Sequence, residues 1–134
     1  MTVIKGKTAD GKPLFGVVHS RQYRTFSDRP LFPWLLEIDI AMNVTTPDGL
    51  AAGQELATLS RFEYSLVTAL ARVTTIHPIG HITADGVREV YCYLAEPEVV
   101  HAFLSELARH EQVREFQYQI DEDPAWEFAD ELGV

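Results

Sequence analysis

Residues 34–42 read WLLEIDIAM, and their alternation decides the class of fold. Leu36, Ile38 and Ile40 are apolar, while Glu37 and Asp39 between them are charged. A period of two is typical of a strand that buries one face and leaves the other available to polar groups. A sheet is therefore expected to organise the chain, and the flanking segments can be placed around this strand.

Two helices and three further strands are predicted after it. Apolar residues recur every three or four positions over Ala51–Val73, and again after Pro97, which predicts two amphipathic helices. Extended segments are predicted at about residues 73–83, at Arg88–Leu94 and at Arg114–Ile120. The order β-α-β-β-α-β predicts an α+β fold, a ferredoxin-like sandwich with the helices on one face of a mostly antiparallel sheet.

An extra β-hairpin is predicted at the N-terminus. Residues 2–7 and Leu14–His19 are extended segments joined by a turn that contains Asp10 and Gly11. The sequence leaves open whether this hairpin extends the sheet or swaps onto a neighbouring copy. A loop is predicted over Arg21–Pro33, and residues 125–132 predict either a short acidic helix or an irregular tail.

Size and charge limit the classes of protein that fit. The chain has 134 residues, which predicts a single domain over 1–134 with an acidic C-terminal segment, 121–134. A net charge of −9 disfavours binding to phosphate backbones, and no apolar stretch approaches the ~20 residues of a membrane span. The single cysteine, Cys92, forms no internal disulfide. We expect a cytoplasmic bacterial protein, a monomer or homodimer, that has no nucleic-acid or membrane partner.

Signatures of catalysis are missing from the sequence. It contains no phosphate-binding loop, no dinucleotide fingerprint and no nucleophile elbow. His77 and His81 are four residues apart, but on a strand that spacing corresponds to roughly 13 Å, too far for both to bind one metal ion. Cys92 lies on the apolar face of its strand, where a small buried hydrophobe is expected. We therefore predict no catalytic residues, no metal and no cofactor, and enzymatic activity is left open but not favoured.

Acidic residues are expected to face water. Glu55 and Glu63 lie off the apolar stripe of the first helix, and Glu37 and Asp39 share one face of their strand. Solvated side chains are favoured over a catalytic carboxylate pair at these positions.

Two tyrosines project from the sheet face opposite Cys92, namely Tyr91 and Tyr93. Three explanations are weighed for them: cover by Trp126 and Phe128, a dimer contact, and stacking on RNA bases. Cover by the terminal aromatic residues is placed first and RNA last, because few basic residues surround the tyrosines.

Three stretches carry a family resemblance: residues 32–38 (FPWLLEI), 80–91 (GHITADGVREVY) and 123–128 (DPAWEF). They resemble a bacterial family of domains of unknown function, number 695. In that family the domain is sometimes fused to one that looks like an inhibitor of ribonuclease E. The resemblance implies a regulatory or protein-binding role and supplies no catalytic residues.

Two functions follow as hypotheses. The first is a non-catalytic protein-interaction or regulatory domain with a protein partner. The alternative is a small-molecule-binding domain or modest hydrolase, whose cleft would lie between the open sheet face and the Arg21–Pro33 loop. The side chains expected to converge there are those of Arg24, His81, Glu89 and Tyr91. Tyr93 and Trp126 are further candidates for a ligand or interface contact.

Overall fold

A six-stranded antiparallel sheet and three α-helices form the described part of the chain, residues 2–110 and 113–133 of a computed structural model. The strands are β1 Thr2–Lys7, β2 Pro13–Val18, β3 Trp34–Ala41, β4 Ile76–Ala84, β5 Val87–Leu94 and β6 Phe116–Glu122. The helices are α1 Gly53–Val73, α2 Pro97–His110 and α3 Glu127–Leu132, and two 3-10 helices, Ser20–Tyr23 and Arg29–Leu31, lie in the predicted loop. None of the helices in the described ranges combines the length and apolarity that crossing a bilayer requires.

The strands are arranged in the order β1-β2-β4-β5-β3-β6, and every neighbouring pair is antiparallel. The α+β class is therefore confirmed. The N-terminal hairpin extends the sheet of its own chain, because β2 pairs with β4. The order of the complete sheet differs from that of a four-stranded ferredoxin-like sheet, so this finer prediction is not confirmed.

Strand β4 is irregular at Pro78, a residue that cannot donate a hydrogen bond to the sheet ladder. It has partners on both sides, and its register with β5 shifts between Pro78 and Gly80. Gly80 has φ 142°, and a Cβ atom there would lie 2.3 Å from the carbonyl oxygen of Val17. Only glycine permits so close an approach of β2, so this position fixes the hairpin against the sheet.

Helices α1 and α2 cover one face of the sheet and enclose the larger core. The apolar face of β3 contributes to this core, as the alternating pattern predicted. Cys92 is fully buried in it, which confirms the prediction of a small core hydrophobe. Leu56 belongs to the predicted apolar stripe of α1 but is exposed instead. The main contributors are Leu36, Ile38, Ile40, Leu59, Phe62, Leu66, Leu70, Val100 and Leu104.

The two predicted helices share one face, and the third helix, whose existence the sequence left open, lies on the other face. Ala129 of α3 packs with Ile79, Tyr91, Tyr93 and Trp126 in a second, smaller core. Aromatic residues of the segment between β2 and β3 pack against the same group. The sheet face that was predicted to be open is therefore covered over strands β4 and β5.

Candidate functional site

Three carboxylates and one phenol meet on the sheet face opposite α1 and α2. The register of β3 and β5 sets Asp39 opposite Glu89. It also sets Glu37 opposite Tyr91. Because side chains alternate along a strand, all four project from the same face. Oxygen atoms of Glu37, Asp39 and Glu89 lie within 4.8 Å of one another, and we call these three residues the β3–β5 carboxylate cluster.

Burial and mutual repulsion control protonation in this cluster. Burial, followed by the neighbouring Asp39 and Glu89, raises the pKa of Glu37 to about 8. Burial also raises the pKa of Glu89, and burial together with the nearby carboxylates raises the pKa of Tyr91. No lysine or arginine of residues 2–110 and 113–133 forms an ion pair with the cluster. Glu37 is therefore mostly protonated at neutral pH.

A shared proton is one state that this arrangement can stabilise. Oδ1 of Asp39 is enclosed and receives no hydrogen bond from an amide, hydroxyl or cationic group of the described residues. A carboxyl proton on Glu37 could be donated to the neighbouring Asp39 carboxylate. Three carboxylates at this spacing could also hold a hard cation such as Ca²⁺, which takes oxygen ligands. The absence of a metal therefore stays a prediction.

The predicted residues Tyr93 and Trp126 form the aromatic cover beside this cluster. Their rings stack with centroids 4.0 Å apart, and Trp126 is fully buried. The hydroxyl of Tyr93 donates to Oδ2 of Asp123 at 2.6 Å, and Nε1 of Trp126 donates to the carbonyl of Phe32 at 2.9 Å. Tyr91 packs on Phe128 at 4.4 Å. Cover by the terminal aromatic residues is confirmed, and Tyr91, Tyr93 and Trp126 are buried beneath it.

The cleft predicted from Arg24, His81, Glu89 and Tyr91 does not form. The guanidinium of Arg24 donates to the carbonyl of Gly133, just beyond α3. His81 pairs with Val90 across the sheet and so projects from the face opposite Glu89 and Tyr91. The structure brings Glu89 and Tyr91 together but separates His81 from them.

His81 belongs to a second cluster, beneath α1. The carboxylate of Glu63 lies 3.0 Å from Nδ1 of His81 and 3.0 Å from Nη1 of Arg88. Arg88 is only 3% exposed, and it also donates from Nε to Oγ1 of Thr83 at 3.1 Å. A further bond runs from Nη1 to Oγ of Ser60 at 3.3 Å. We call Glu63, His81 and Arg88 the Glu63 cluster.

The Glu63 cluster differs from the β3–β5 carboxylate cluster because Arg88 compensates the negative charge of its carboxylate. Burial alone would raise the pKa of Glu63, but the hydrogen bond and charge of His81 and the charge of Arg88 outweigh it, so the pKa is lowered. A cavity of about 300 Å³ adjoins the cluster. Its other lining residues include Val17, His19, Ser60, Tyr64 and Val67.

A larger groove of about 580 Å³ separates α1 from α2. Its walls are mainly apolar and are formed by Phe62, Leu66, Ala69, Phe103 and Leu107. Thr58, Arg61, Ser65 and Val113 complete the lining. We call this feature the α1–α2 groove.

Sequence reasoning missed Glu63 and underestimated Glu37 and Asp39. Glu63 was expected to face water, yet its side chain is only 20% exposed and is bonded to His81 and Arg88. No local signal identifies it, because its partners lie 18 and 25 residues away. Glu37 and Asp39 did carry a signal, since two acids at alternate positions of a central strand have little access to bulk water.

Comparison with family models decides where the chain belongs. The model described as "Family of unknown function (DUF695)" matches residues 21–132. The chain belongs to this family. The resemblance drawn from the sequence is thereby confirmed. Both clusters and the α1–α2 groove lie within the DUF695 match, whereas strands β1 and β2 precede it. Searches of curated proteins and of solved structures gave no match.

Proposed function

We propose that this DUF695 domain is a non-catalytic protein-interaction or regulatory domain, and that its partner docks in the α1–α2 groove. The groove is the observation that carries the proposal, because it is the largest of the concave surfaces described above and its walls are mainly apolar. A groove between two helices is a common receptor for the apolar face of an amphipathic helix. We therefore place the interaction surface on the helical face and not on the opposite sheet face, which is covered over β4 and β5.

Charge at the groove suggests the chemistry of the partner. Arg61 lines the groove and is exposed, and its guanidinium contacts the hydroxyl of Thr58 at 3.5 Å. Within the described ranges it forms no ion pair with an acid. An amphipathic helix that carries an acidic residue beside its apolar face would pair with Arg61 while its side chains fill the groove.

The state of the cysteine supports a non-catalytic role. Burial raises the pKa of the Cys92 thiol to about 12, so the nucleophilic thiolate is not formed at neutral pH. From the acidic composition we further propose a cytoplasmic protein, monomeric or homodimeric, whose surface meets a protein rather than a nucleic acid or a membrane.

We also propose a ferredoxin-like unit within the larger sheet. The supporting observation is that the four strands after the hairpin are neighbours in the order β4-β5-β3-β6. Helices α1 and α2 make the two crossovers, between β3 and β4 and between β5 and β6. The hairpin β1–β2 would then be an addition at the β4 edge.

Two alanines of α1 allow a matched test of the groove. Ala69 lines it, whereas Ala71 is exposed and does not. Ala69→Glu places a charge in the apolar groove, and Ala71→Glu adds the same charge on another side of the helix. The full chain is tagged, purified gently from its own cells, and analysed by native mass spectrometry with a photo-crosslinking residue at Ser65.

The expected result is a defined protein that crosslinks through position 65. Its recovery should fall at least tenfold in Ala69→Glu and stay unchanged in Ala71→Glu, since a buried unpaired charge costs more than about 1.4 kcal/mol. Equal recovery with both variants, or no protein crosslinked at position 65, would contradict docking in the groove.

The alternative, a small-molecule-binding domain or modest hydrolase, keeps one specific observation in its favour. Glu89 and Tyr91 converge with Glu37 and Asp39, although Arg24 and His81 do not join them. If such a ligand is cationic, Glu37→Gln and Glu89→Gln should each weaken its binding. A small mass retained in the native spectrum and lost in these variants would favour the alternative.

A further inference from the structure

We propose that the cavity beside the Glu63 cluster binds a small oxyanion, held by Nη2 of Arg88 and Nε2 of His81. This site is separate from the α1–α2 groove, so its test succeeds or fails independently of protein docking. The anion is expected to carry a hydroxyl group as well as a charged oxygen, as a phosphate or a hydroxy acid does.

Arg88 has one guanidinium nitrogen, Nη2, that is available to an anion. Its side chain is 4% exposed, and its Nε and Nη1 atoms are bonded to three neighbours within the described residues. Nη2 donates no hydrogen bond to any of these described residues, and it is not among the fully enclosed atoms. Arg88 lines the cavity, and an almost completely buried guanidinium that keeps one unused nitrogen is a donor available to an anion.

His81 has one ring nitrogen, Nε2, that is available to the same ligand. Its Nδ1 is bonded to Glu63, which fixes the orientation of the ring. Nε2 makes no hydrogen bond to the described residues, and His81 lines the same cavity as Arg88. When Nδ1 carries the proton toward Glu63, Nε2 is an acceptor. An oxyanion that bears a hydroxyl can therefore donate to Nε2 and accept from Nη2 of Arg88.

The surrounding charges permit an anion here. The carboxylate of Glu63 is compensated by Arg88, and the other titratable groups in the lining are His19 and Tyr64, neither of them acidic carboxyls. The β3–β5 carboxylate cluster, in contrast, would repel an anion. A volume of about 300 Å³ lies at the small end of ligand pockets, roughly 300–1,000 Å³, which favours a small metabolite over a nucleotide or peptide.

The test is an NMR titration of the full chain with inorganic phosphate at constant ionic strength. The ring signal of His81 and the guanidinium signal of Arg88 should shift together and saturate with a single dissociation constant in the millimolar range. Signals of the exposed His110 should not saturate with that constant. Sodium lactate is the second probe, since saturation by phosphate alone identifies a phosphoryl ligand and saturation by lactate alone a hydroxy acid.

Two variants keep the test decisive. His81→Asn keeps an amide near the position of Nδ1 but has no acceptor at the position of Nε2, so it should weaken binding about tenfold, whereas the matched His110→Asn should leave binding unchanged. Val67→Phe fills the cavity without altering charge, so the folded variant should not bind. The proposal is overturned if neither probe gives a saturable shift, or if Val67→Phe and His81→Asn bind as the wild type does.

Discussion

Carboxylates on the two faces of this sheet differ in one respect, the presence of a cation. Glu63 lies beneath α1 with Arg88 and His81 at 3.0 Å, and its pKa is lowered. Glu37 lies on the opposite face with Asp39 and Glu89 as neighbours, and its pKa is raised to about 8. Burial pushes both pKa values upward, so the neighbours decide the outcome.

Because of this difference, the two faces should bind ligands of opposite charge. Beneath α1, Glu63 is paired with a guanidinium and an imidazole, and one further nitrogen of each group is left for an anion. On the other face, acids without a cation favour a proton or a cationic group. Variants that remove or reverse one part of this contrast should change stability or protonation, and the largest effect is expected at Arg88.

Removing the cation of the Glu63 cluster should have the largest effect on stability. Arg88→Met keeps much of the buried volume but leaves the Glu63 carboxylate partly buried without the guanidinium that pairs with it. We expect a loss of about 3 kcal/mol in the free energy of unfolding, the low end for a broken buried pair, because Glu63 keeps some exposure. Urea unfolding at neutral pH measures it.

Two controls make this result specific. Arg72→Met replaces an exposed arginine near the end of α1 and should change stability by less than about 0.5 kcal/mol. Adding Glu63→Gln to Arg88→Met should restore part of the loss, because the unpaired charge is then gone. A double variant that is less stable than Arg88→Met alone would contradict this explanation.

Glu37 should make stability depend on pH in the alkaline direction. Its folded pKa of about 8 exceeds the unfolded value of about 4.5, so the native state binds more protons between these two values. The free energy of unfolding should therefore fall as pH rises through this window, by roughly 1–2 kcal/mol after allowance for solvent screening. Glu37→Gln should remove this fall.

The comparison is made by urea unfolding at several pH values from about 5 to about 9. Glu98→Gln, which neutralises an exposed acid in the first turn of α2, serves as control and should keep the wild-type pH dependence. If Glu37→Gln follows the wild-type curve as closely as Glu98→Gln does, the proton on Glu37 is not linked to folding.

A cation introduced into the β3–β5 carboxylate cluster should lower the pKa of Glu37, as the neighbours of Glu63 lower the pKa of that residue. Glu89→Lys replaces one repelling neighbour of Glu37 with an attracting one, and the pKa of Glu37 should fall by roughly one unit or more. Carboxyl-carbon NMR follows this titration directly. Glu122→Lys makes the same charge change on the exposed end of β6, outside the cluster, and should leave Glu37 nearly unaffected.

The elements of the fold could be predicted because their signals are local. The alternation in residues 34–42 identified β3, and the apolar stripe over Ala51–Val73 identified α1 within two residues. Pro78, which cannot donate to a sheet ladder, lies where the register of β4 shifts. Whether residues 125–132 form a helix or an irregular tail could not be decided in the same way, because a six-residue helix has too short an apolar pattern.

The clusters were harder to predict because they depend on contacts between distant segments. Glu37 and Asp39 could be placed on one face, but Glu89 joins them only when β3 and β5 are neighbours in a defined register. Glu63 was expected to face water, because the residues that pair with it, His81 and Arg88, come from β4 and β5 and are distant in sequence. His81 and Glu89 were assigned to one cleft, and the registers of β4 and β5 put them on opposite faces.

One NMR experiment tests the contrast between the two faces most directly. Carboxyl-carbon shifts of Glu37 and Glu63 are followed in a single sample of the wild-type chain as pH is varied. The account predicts that Glu37 titrates near pH 8 and Glu63 below its usual value of 4.5. Titration of both side chains together near 4.5 would contradict it, and would remove the electrostatic basis for different ligands on the two faces.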